Sequence, residues 1–449
     1  MTRPHRIHQT EDFMKKRYAV VGVSHRALSM FISPILGPYS DVAELCAYVD
    51  ISAERMANAN ELKKTSIPAY SPDQFDRMVA ETRPDVVIVA TVDATHHTYI
   101  IQALKHDLDV YCEKPLTTDD AKARAILAAE KKSKGRVTVT FNYRYASAPT
   151  MIRELIQDGE IGRVVSIDLN WYLDTYHGSS YFMRWNRMRE NSGGLNVHKA
   201  THHFDLASWW IGQKPVEVFA YGALNFFGPR GPRNPSKRDG RVCPTCTERQ
   251  KCEYYMRWHL DEWRGAPVVK KQLEDHVAAL QAGFSHYKNV NARRCIYDSE
   301  INIEDTYAGV VKYDGGAFMS YSLNGSCPFE GFRLGINGIN GRIEFESLDK
   351  RQGQPMPEPI RQDITLIKLF GERQTIKPIE AGGGHGGADP LLQDDLFRGR
   401  NTKEKVVRMA PLFDGVLSVL TGVAFHRSMT ERRPVTMKEL LTGKGGKRK

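Results

Sequence analysis

The first 145 residues alternate short, continuously apolar runs with stretches of helical character, and this alternation constrains the fold more than any other feature. The run at 84–91, Pro-Asp-Val-Val-Ile-Val-Ala-Thr, has no polar face, as expected of a parallel strand covered on both sides. Comparable runs at 18–22, 44–50 and 136–142 are separated by helix-like segments. A doubly wound parallel sheet is the most economical arrangement of such a pattern.

The first apolar run ends in a glycine turn of the kind that approaches a dinucleotide. The full pattern is Gly-x-Gly-x-x-Gly, because the backbone must come close to a pyrophosphate at a helix start. Only Gly22 is kept here, with Ser24 and Ala27 at the other two positions and Arg26 near enough to reach a phosphate. Asp50 ends the next run, where a carboxylate accepts hydrogen bonds from an adenosine ribose and repels a 2′-phosphate. Asp50 together with Gly22 therefore favours NAD over NADP. Taken alone, Asp50 is equally consistent with a solvent-facing acid that precedes a helix.

Glu113, Lys114 and Pro115 follow the apolar residues 109–112 directly. At the carboxyl end of a parallel strand this carboxylate and ammonium lie where open α/β sheets bind ligands, and the proline fixes the backbone beside them. The alternative is a surface charge pair before a helix. Other polar residues at strand ends are candidates to line the same pocket: Thr91, His96, Asn142, Tyr143 and Arg144.

A second concentration of titratable groups lies between 192 and 210. His198, His202 and Asp205 are spaced by four and three residues, which places them on one face of a helix. One ring can then orient or acidify another and make a general base near neutral pH. The rival interpretation is that the same three side chains bind zinc.

The residues after 150 show strand periodicity with hairpin turns. Apolar and polar residues alternate from 165 to 172, and further strands are predicted at 216–227, 306–313, 317–323, 332–337 and 342–345. Asp-Gly-Gly at 314–316 and Asn-Gly at 337–338 are hairpin turns, so a largely antiparallel sheet is predicted. The segment 171–187 adds aromatic and hydrogen-bonding side chains, among them Tyr176, Arg184 and Trp185. Such groups bind sugars, although an ordinary aromatic core remains an alternative.

In combination these motifs resemble the glucose-fructose oxidoreductase and inositol dehydrogenase family, known as Gfo/Idh/MocA; the resemblance is carried by Gly22, Asp50, Thr91, His96, Glu113-Lys114-Pro115 and Asn142-Tyr143-Arg144. It implies that Lys114 holds the reacting oxygen and the nicotinamide ribose, and that His202 accepts or donates the proton. The family carries an aspartate four residues before that histidine. His198 occupies the position here, which changes the charge at the site.

The resulting prediction is an NAD-dependent oxidoreductase that transfers hydride between the nicotinamide and a secondary hydroxyl of a sugar, polyol or related cyclic alcohol. Its predicted catalytic residues are Lys114, His202 and His198, and no metal is assigned to them. The predicted cofactor-binding residues are Gly22, Ser24, Arg26, Asp50, Thr91, His96, Glu113, Lys114 and Asn142. The predicted substrate-binding residues are Tyr143, Arg144, Tyr176, Arg184, Trp185, Lys199 and His203. A glycosidase or lyase that uses tightly bound NAD, and a non-catalytic nucleotide or sugar sensor, are the alternatives.

We predict a fold of the α/β class, with an N-terminal Rossmann doubly wound parallel sheet and a C-terminal α+β domain that has a largely antiparallel open sheet. The expected bounds are 15–145 for the NAD-binding domain, 146–437 for the substrate-binding and oligomerisation domain with an insertion at 228–275, and 438–449 for a basic tail. The resemblance implies a homo-oligomer, a dimer or tetramer.

Composition excludes several other classes. Much of the net charge of +10 sits at the two ends, and no groove-reading motif accompanies it, so nucleic-acid binding is not predicted. No apolar run spans a membrane and no signal peptide is evident, which predicts a cytoplasmic location. Cys243, Cys246 and Cys252 have metal-like spacing, with His259 as a fourth candidate ligand, and this question stays open. His385, in a glycine-rich loop, either closes over substrate or lies on a mobile surface.

Overall fold

A computed structural model of the chain describes residues 15–242, 246–254, 294–349, 362–379, 387–400 and 402–444. These residues form two sheets, one of seven strands and one of nine, with helices packed on them. The predicted fold class, a parallel Rossmann sheet followed by an α+β domain with a mostly antiparallel sheet, is confirmed.

The first sheet has the strand order β15-β6-β5-β4-β1-β2-β3. Its pairs are parallel except for β15, a short strand that joins antiparallel from far along the chain. The central strands β1, β4 and β5 are almost fully buried, which explains their unbroken apolar sequences. The bounds are β1 Lys16–Val21, β2 Ala43–Val49, β3 Ala69–Tyr70, β4 Val86–Val89, β5 Asp109–Cys112, β6 Val137–Val139 and β15 Ala410–Pro411.

Helices connect these strands and begin at residues that cap them. Ser52 accepts a hydrogen bond from the backbone of Arg55, and Asp119 accepts one from Lys122, so each satisfies a donor of the first helical turn. The helices are Ala53–Lys63, Phe75–Thr82, His96–Lys105 and Asp120–Glu130, and a helical segment of three consecutive parts, His25–Ala27, Leu28–Ile32 and Ser33–Leu36, follows β1.

The second sheet has the order β14-β13-β12-β11-β7-β10-β9-β8-β16. Neighbours are antiparallel apart from β7 and β10, which pair parallel. Strand β9 has the bounds expected from its sequence, while β13 and β14 have no counterpart among the predicted strands. The bounds are β7 Val164–Asp174, β8 Pro215–Ala223, β9 Thr306–Tyr313, β10 Phe318–Cys327, β11 Glu330–Gly338, β12 Gly341–Asp349, β13 Ile364–Lys368, β14 Arg373–Ile376 and β16 Val435–Thr436.

Apolar helices pack against this second sheet. Leu412–Glu431 lies along β8, and Thr201–Ile211 packs on both that helix and Ser147–Gln157. Buried tryptophans, Trp171 on β7 and Trp210 on the Thr201–Ile211 helix, fill this layer. The remaining helices of the second half are Thr175–Met183, Arg189–Ser192, Leu195–His198, Ala388–Phe397 and Met437–Thr442.

One predicted helix is divided in the structure. The expectation of a single helix carrying His198, His202 and Asp205 is wrong, because one helix ends at His198 and the next begins at Thr201. The amide of Ala200 donates to the carbonyl of Leu195, a wider turn than an α-helix makes. The break turns the side chain of His198 away from the row formed by the other two residues.

Several predicted features lie outside the described residues: Cys243, His259, His385 and the side chain of Tyr176. Among the described residues no group of three or more His, Cys, Asp or Glu side chains is arranged to hold a metal ion. Within the same ranges, no helix has both the length and the apolar composition needed to cross a membrane.

Candidate active site

Lys114 lies at the carboxyl end of β5, directly after the buried Glu113, and its peptide bond to Pro115 is cis. Its ammonium donates to the backbone carbonyl of His198 over 3.3 Å. The two motifs singled out in the sequence, 84 residues apart, therefore meet in space. The contact joins the edge of the parallel sheet to the break between the helices of the second half.

His198 is held on both ring nitrogens. Its Nδ1 lies 2.5 Å from Oδ2 of Asp93, and its Nε2 lies 3.1 Å from Nδ2 of Asn186. Because the amide nitrogen can only donate, Nε2 accepts and Nδ1 carries the proton that is donated to Asp93. Both ring nitrogens of His198 therefore have partners within the protein, and its predicted catalytic role stays a prediction.

Asp93 was missed by the sequence analysis as a site residue. It lies after β4, whose carboxyl end meets the same sheet edge as that of β5, and it is almost fully buried. A signal was present, since an acid placed just beyond a continuous apolar strand is unusual in a core. Asp93 supplies a carboxylate near Lys114 in a site where the expected aspartate is replaced by His198.

The electrostatics of this group are dominated by burial. Burial lowers the pKa of Lys114 to about 8, opposed by the charges of Asp93 and Glu113 and reinforced by Lys199 and Arg26. Burial raises the pKa of Asp93, and the Lys114 ammonium opposes that rise. Burial and the Lys114 charge both lower the pKa of His198, which agrees with a neutral imidazole. The ammonium form of Lys114 is therefore less favoured than that of a lysine in water.

His202 and Lys199 both lie close to the ring of Tyr143. Its ring centroid is 4.8 Å from that of Tyr143, and the Lys199 ammonium lies 5.8 Å from the Tyr143 ring. His202 is 5% exposed, so the structure brings a nearly buried imidazole, an ammonium and a phenol together on the side of the second domain.

Arg26, Glu113 and Asn142, all predicted to bind the cofactor, meet in one ionic cluster with Asp389. Arg26 donates to Glu113 over 2.8 Å and to Asp389 over 3.2 Å, while Nδ2 of Asn142 donates to the other oxygen of Asp389 over 2.9 Å. Asp389 opens the Ala388–Phe397 helix, which packs against β1 and its neighbours. Sequence reasoning missed Asp389, which is 247 residues from Asn142 and carries no local signal.

The turn after β1 has the conformation that dinucleotide binding requires. Gly22 has φ +90°, and a Cβ built on it would lie 2.7 Å from the backbone of Ala90. Only glycine fits there, so the chain can turn sharply past the end of β4. Asp50 accepts hydrogen bonds from the amide of Val23 at 2.7 Å and from Arg55 at 3.1 Å, which ties the second strand to the turn. These residues fit the adenosine end of a dinucleotide.

Ser24, Thr91 and His96, the remaining predicted cofactor residues, shape this edge from within. Ser24 Oγ caps the following helix at the amide of Ala27. His96 is buried, with Nδ1 2.8 Å from the carbonyl of Pro115 and Nε2 3.1 Å from that of Thr91. The His96 ring thus lies between two strand ends and donates to one of these carbonyls, and its predicted contact with the cofactor stays a prediction.

Arg144 and His203, both predicted to contact substrate, are buried and bonded within the fold. Arg144 is buried, and its guanidinium donates to the two oxygens of Asp205 at 2.8 and 2.5 Å and to Oδ2 of Asp414 at 2.9 Å. His203 is stacked on Trp171 at 3.6 Å between ring centroids, and its Nδ1 lies 2.7 Å from the hydroxyl of Tyr321. The guanidinium of Arg144 and Nδ1 of His203 thus join elements of the fold, and the predicted contacts of these two residues with substrate stay predictions.

Aromatic residues contact the ring of His198. The rings of Trp185 and Tyr181 meet the His198 ring edge-on at 5.4 and 5.5 Å. Arg184 extends over the Tyr181 ring and donates to the carbonyl and hydroxyl of Ser180. The predicted residues Trp185 and Arg184 thus lie beside the residues that hold Lys114.

Comparisons with known proteins agree with this arrangement. The family description "Oxidoreductase family, NAD-binding Rossmann fold" matches residues 16–141, and "Oxidoreductase family, C-terminal alpha/beta domain" matches residues 153–437, both of the GFO_IDH_MocA type. Together the two matches account for most of the chain.

Among curated proteins, YteT of Bacillus subtilis (strain 168), named as an oxidoreductase, is 47% identical over 429 residues, which is 95% of this chain and 99% of that protein. The inositol 2-dehydrogenase of Rhizobium meliloti (strain 1021) is 29% identical over 150 residues, covering 33% of this chain and 43% of the enzyme. Among solved structures, an oxidoreductase from Agrobacterium radiobacter in complex with NAD+, L-tartaric acid and magnesium shares the fold, with a TM-score of 0.60 and 15% identity over 95% of this chain and 100% of that one.

Proposed function

Because the chain belongs to the Gfo/Idh/MocA oxidoreductase family, we propose that it uses NAD to oxidise a secondary hydroxyl of a sugar, polyol or related cyclic alcohol, or catalyses the reverse reduction. The observation that carries the proposal is the position of the Lys114 ammonium. It is held at a parallel-strand edge by the carbonyl of His198, with its pKa lowered to about 8 mainly by burial. Inositol 2-dehydrogenases among the relatives support the substrate class.

The bound nicotinamide supplies the hydride acceptor or donor. Gly22 and the end of β1 hold the dinucleotide close to the sheet, and Asp50 faces the adenosine ribose. The preference for NAD rests on the carboxylate of Asp50, and Arg55, which donates to it at 3.1 Å, balances part of its charge. Glu113 and Arg26 close the same edge of the sheet.

In this proposal Lys114 donates a hydrogen bond to the reacting oxygen and stabilises the negative charge that develops there as the C–H bond breaks. The fixed carbonyl of His198 orients the ammonium before the substrate arrives, which saves the cost of ordering it during the reaction. His202, across the pocket on the Thr201–Ile211 helix, takes the hydroxyl proton. Its neighbour Tyr143 restricts the orientation of its ring.

A panel assay tests this function. The protein is incubated with NAD and sugars, polyols and cyclic alcohols, including myo-inositol, and NADH absorbance is followed. We expect NADH formation with at least one compound and a loss of about 100-fold or more in kcat for Lys114→Met. The matched control is Lys122→Met, which removes a lysine paired with Asp119 on the surface and leaves kcat unchanged. NADH formation by Lys114→Met at the rate of the unaltered protein would contradict the proposal.

A second candidate is a redox-neutral glycosidase or lyase, and a second acid–base chain in the same pocket favours it. Oε1 of Glu330 lies 2.8 Å from Nδ1 of His177, and Nε2 of His177 lies 2.8 Å from the hydroxyl of Tyr181. The Tyr181 ring borders His198, so the chain ends beside the Lys114 group. A simple dehydrogenase needs one proton carrier, whereas expulsion of a leaving group needs another to protonate the departing oxygen.

Nitrophenyl glycosides distinguish the two candidates. Release of nitrophenol without net NADH, and its loss in Tyr181→Phe, would favour the redox-neutral reaction. The control is Tyr321→Phe, which removes a comparable tyrosine–histidine hydrogen bond from the core. Net NADH without nitrophenol release assigns the protein to the dehydrogenases.

A further inference from the structure

The side chain of Lys199 is nearly buried, and among the described residues its ammonium has no anionic partner. Lys199 is 5% exposed, and its Nζ lies 5.8 Å from the ring centroid of Tyr143 and 5.6 Å from that of Trp171. Over the described parts of the chain, this nitrogen makes no ion pair and no hydrogen bond. Buried charges in proteins are normally paired, because an uncompensated one costs several kcal/mol. The residue is therefore placed for a partner that the protein itself does not provide.

Glu330, a carboxylate whose pKa the Lys199 charge lowers, is bonded to other groups. Burial raises the pKa of Glu330, but His177 and Lys199 lower it to about 2, so Glu330 is ionised and lies within the field of Lys199. Its Oε1 is 2.8 Å from His177 Nδ1, and its Oε2 accepts from the amide of Asp174 over 2.9 Å. These two bonds hold the carboxylate at the junction of β7 and β11, out of pairing distance of Lys199.

Lys199 belongs to the same pocket as the proposed catalytic groups. Burial is the main cause of the lowered pKa of Lys114, and the charges of Asp93 and Glu113 oppose it. The charge of Lys199 lowers that pKa further. The residue follows His198 in sequence at the break between two helices, and it shares the Tyr143 ring with His202. An anionic group bound to Lys199 would therefore belong to the same substrate molecule whose hydroxyl oxygen Lys114 holds.

We propose that Lys199 binds a carboxylate carried by the substrate, so that the substrate is an acidic carbohydrate such as a uronic or aldonic acid. This inference rests on the proposed oxidation of a sugar or polyol. A carboxylate fits better than a phosphate ester: the site offers one ammonium on an aromatic platform, and the neighbouring guanidinium of Arg184 already donates to Ser180. A neutral substrate would cover the ammonium and leave it unpaired, at a cost to binding.

Matched substrate pairs test the inference directly. The probes are D-galacturonate against D-galactose, D-glucuronate against D-glucose, and D-glucose 6-phosphate, each with NAD and followed by NADH absorbance. We expect kcat/KM for the favoured acid to exceed that for its neutral parent by about 10- to 100-fold, the usual range for one charge-assisted hydrogen bond. Lys199→Met keeps the aliphatic stem over the rings but removes the charge. It should lower the ratio of kcat/KM for the acid to kcat/KM for the neutral parent by a similar factor, mainly through a higher KM for the acid, while Lys199→Arg should retain most of the preference.

Thermal unfolding supplies a second readout that does not depend on turnover. Removing an unpaired buried charge should raise the melting temperature of Lys199→Met in the absence of substrate, whereas a lysine with a structural role would lower it. Equal kcat/KM for acid and neutral parent, or a preference for the phosphate ester, would overturn the inference while the proposed oxidation stands. If none of these compounds, nor any of the wider panel, yields NADH, the proposed function fails and the inference fails with it.

Discussion

Replacing Asp93 by asparagine tests the electrostatic support of Lys114. Burial lowers the pKa of Lys114 to about 8, and the Asp93 charge opposes that effect. A nearby opposite charge typically shifts a pKa by about one to three pH units, so Asp93→Asn should lower the pKa of Lys114 by about one pH unit or more. Since the ammonium form holds the reacting oxygen, kcat/KM falls as pH rises through this pKa. The alkaline limb, expected near pH 8 in the unaltered protein, should move to about pH 7 or below, with a loss of activity of about fivefold or more at pH 8.

The assay is the pH dependence of initial NADH formation, from mildly acidic to alkaline buffers, with the best compound of the panel. Asp119→Asn is the matched control, because it changes a surface acid while asparagine preserves the helix cap. An alkaline limb that stays in place in Asp93→Asn would show that the carboxyl carries no charge that Lys114 feels. A rate that rises through pH 8 would show instead that neutral Lys114 is the active form. Either result refutes the proposed role of the ammonium.

Two further substitutions test the framework of the site. Gly22→Ala should destabilise the protein by about 1–3 kcal/mol and weaken NAD binding, because the added Cβ meets the backbone of Ala90 at 2.7 Å with φ at +90°; thermal unfolding and calorimetric titration with NAD measure both effects, and an unchanged affinity would contradict the assignment of this turn. Arg144→Met should cost about 3–5 kcal/mol in the free energy of unfolding, measured by denaturant titration, because it leaves Asp205 buried without its cation. KM for substrate should stay unchanged in the folded Arg144→Met protein, and an increase would restore Arg144 to the substrate pocket.

The parallel sheet was predictable from sequence because its central strands are buried on both faces. A run such as Val86–Val89 is apolar at every position, and the strands around it share that property. Strand β9, Thr306–Tyr313, was also predicted with its observed bounds, since a hairpin turn marks its end. Strands β13 and β14 were missed, because β14 is an edge strand without a buried residue and β13 beside it buries only two residues.

The site was only partly predictable, because sequence shows which residues are polar but not which polar atoms meet. Lys114 and the segment from His198 to His202 were identified, and the structure brings Lys114 and His198 together. Arg144 and His203 have the same chemical character, yet their partners Asp205 and Tyr321 lie far along the chain and bind them in the core. Asp389 reaches the cofactor edge from a distant helix, which no local pattern could indicate.

Isotope labelling follows the hydride from the carbinol carbon of the substrate to the nicotinamide. An alcohol substrate deuterated at the reacting carbinol carbon is incubated with the protein and NAD, and the reduced cofactor is analysed by mass spectrometry. The account predicts NADH that carries one deuterium from the substrate, and Lys114→Met should nearly abolish its formation. Reduced cofactor without the label would contradict hydride transfer from the carbinol carbon and with it the proposed enzyme.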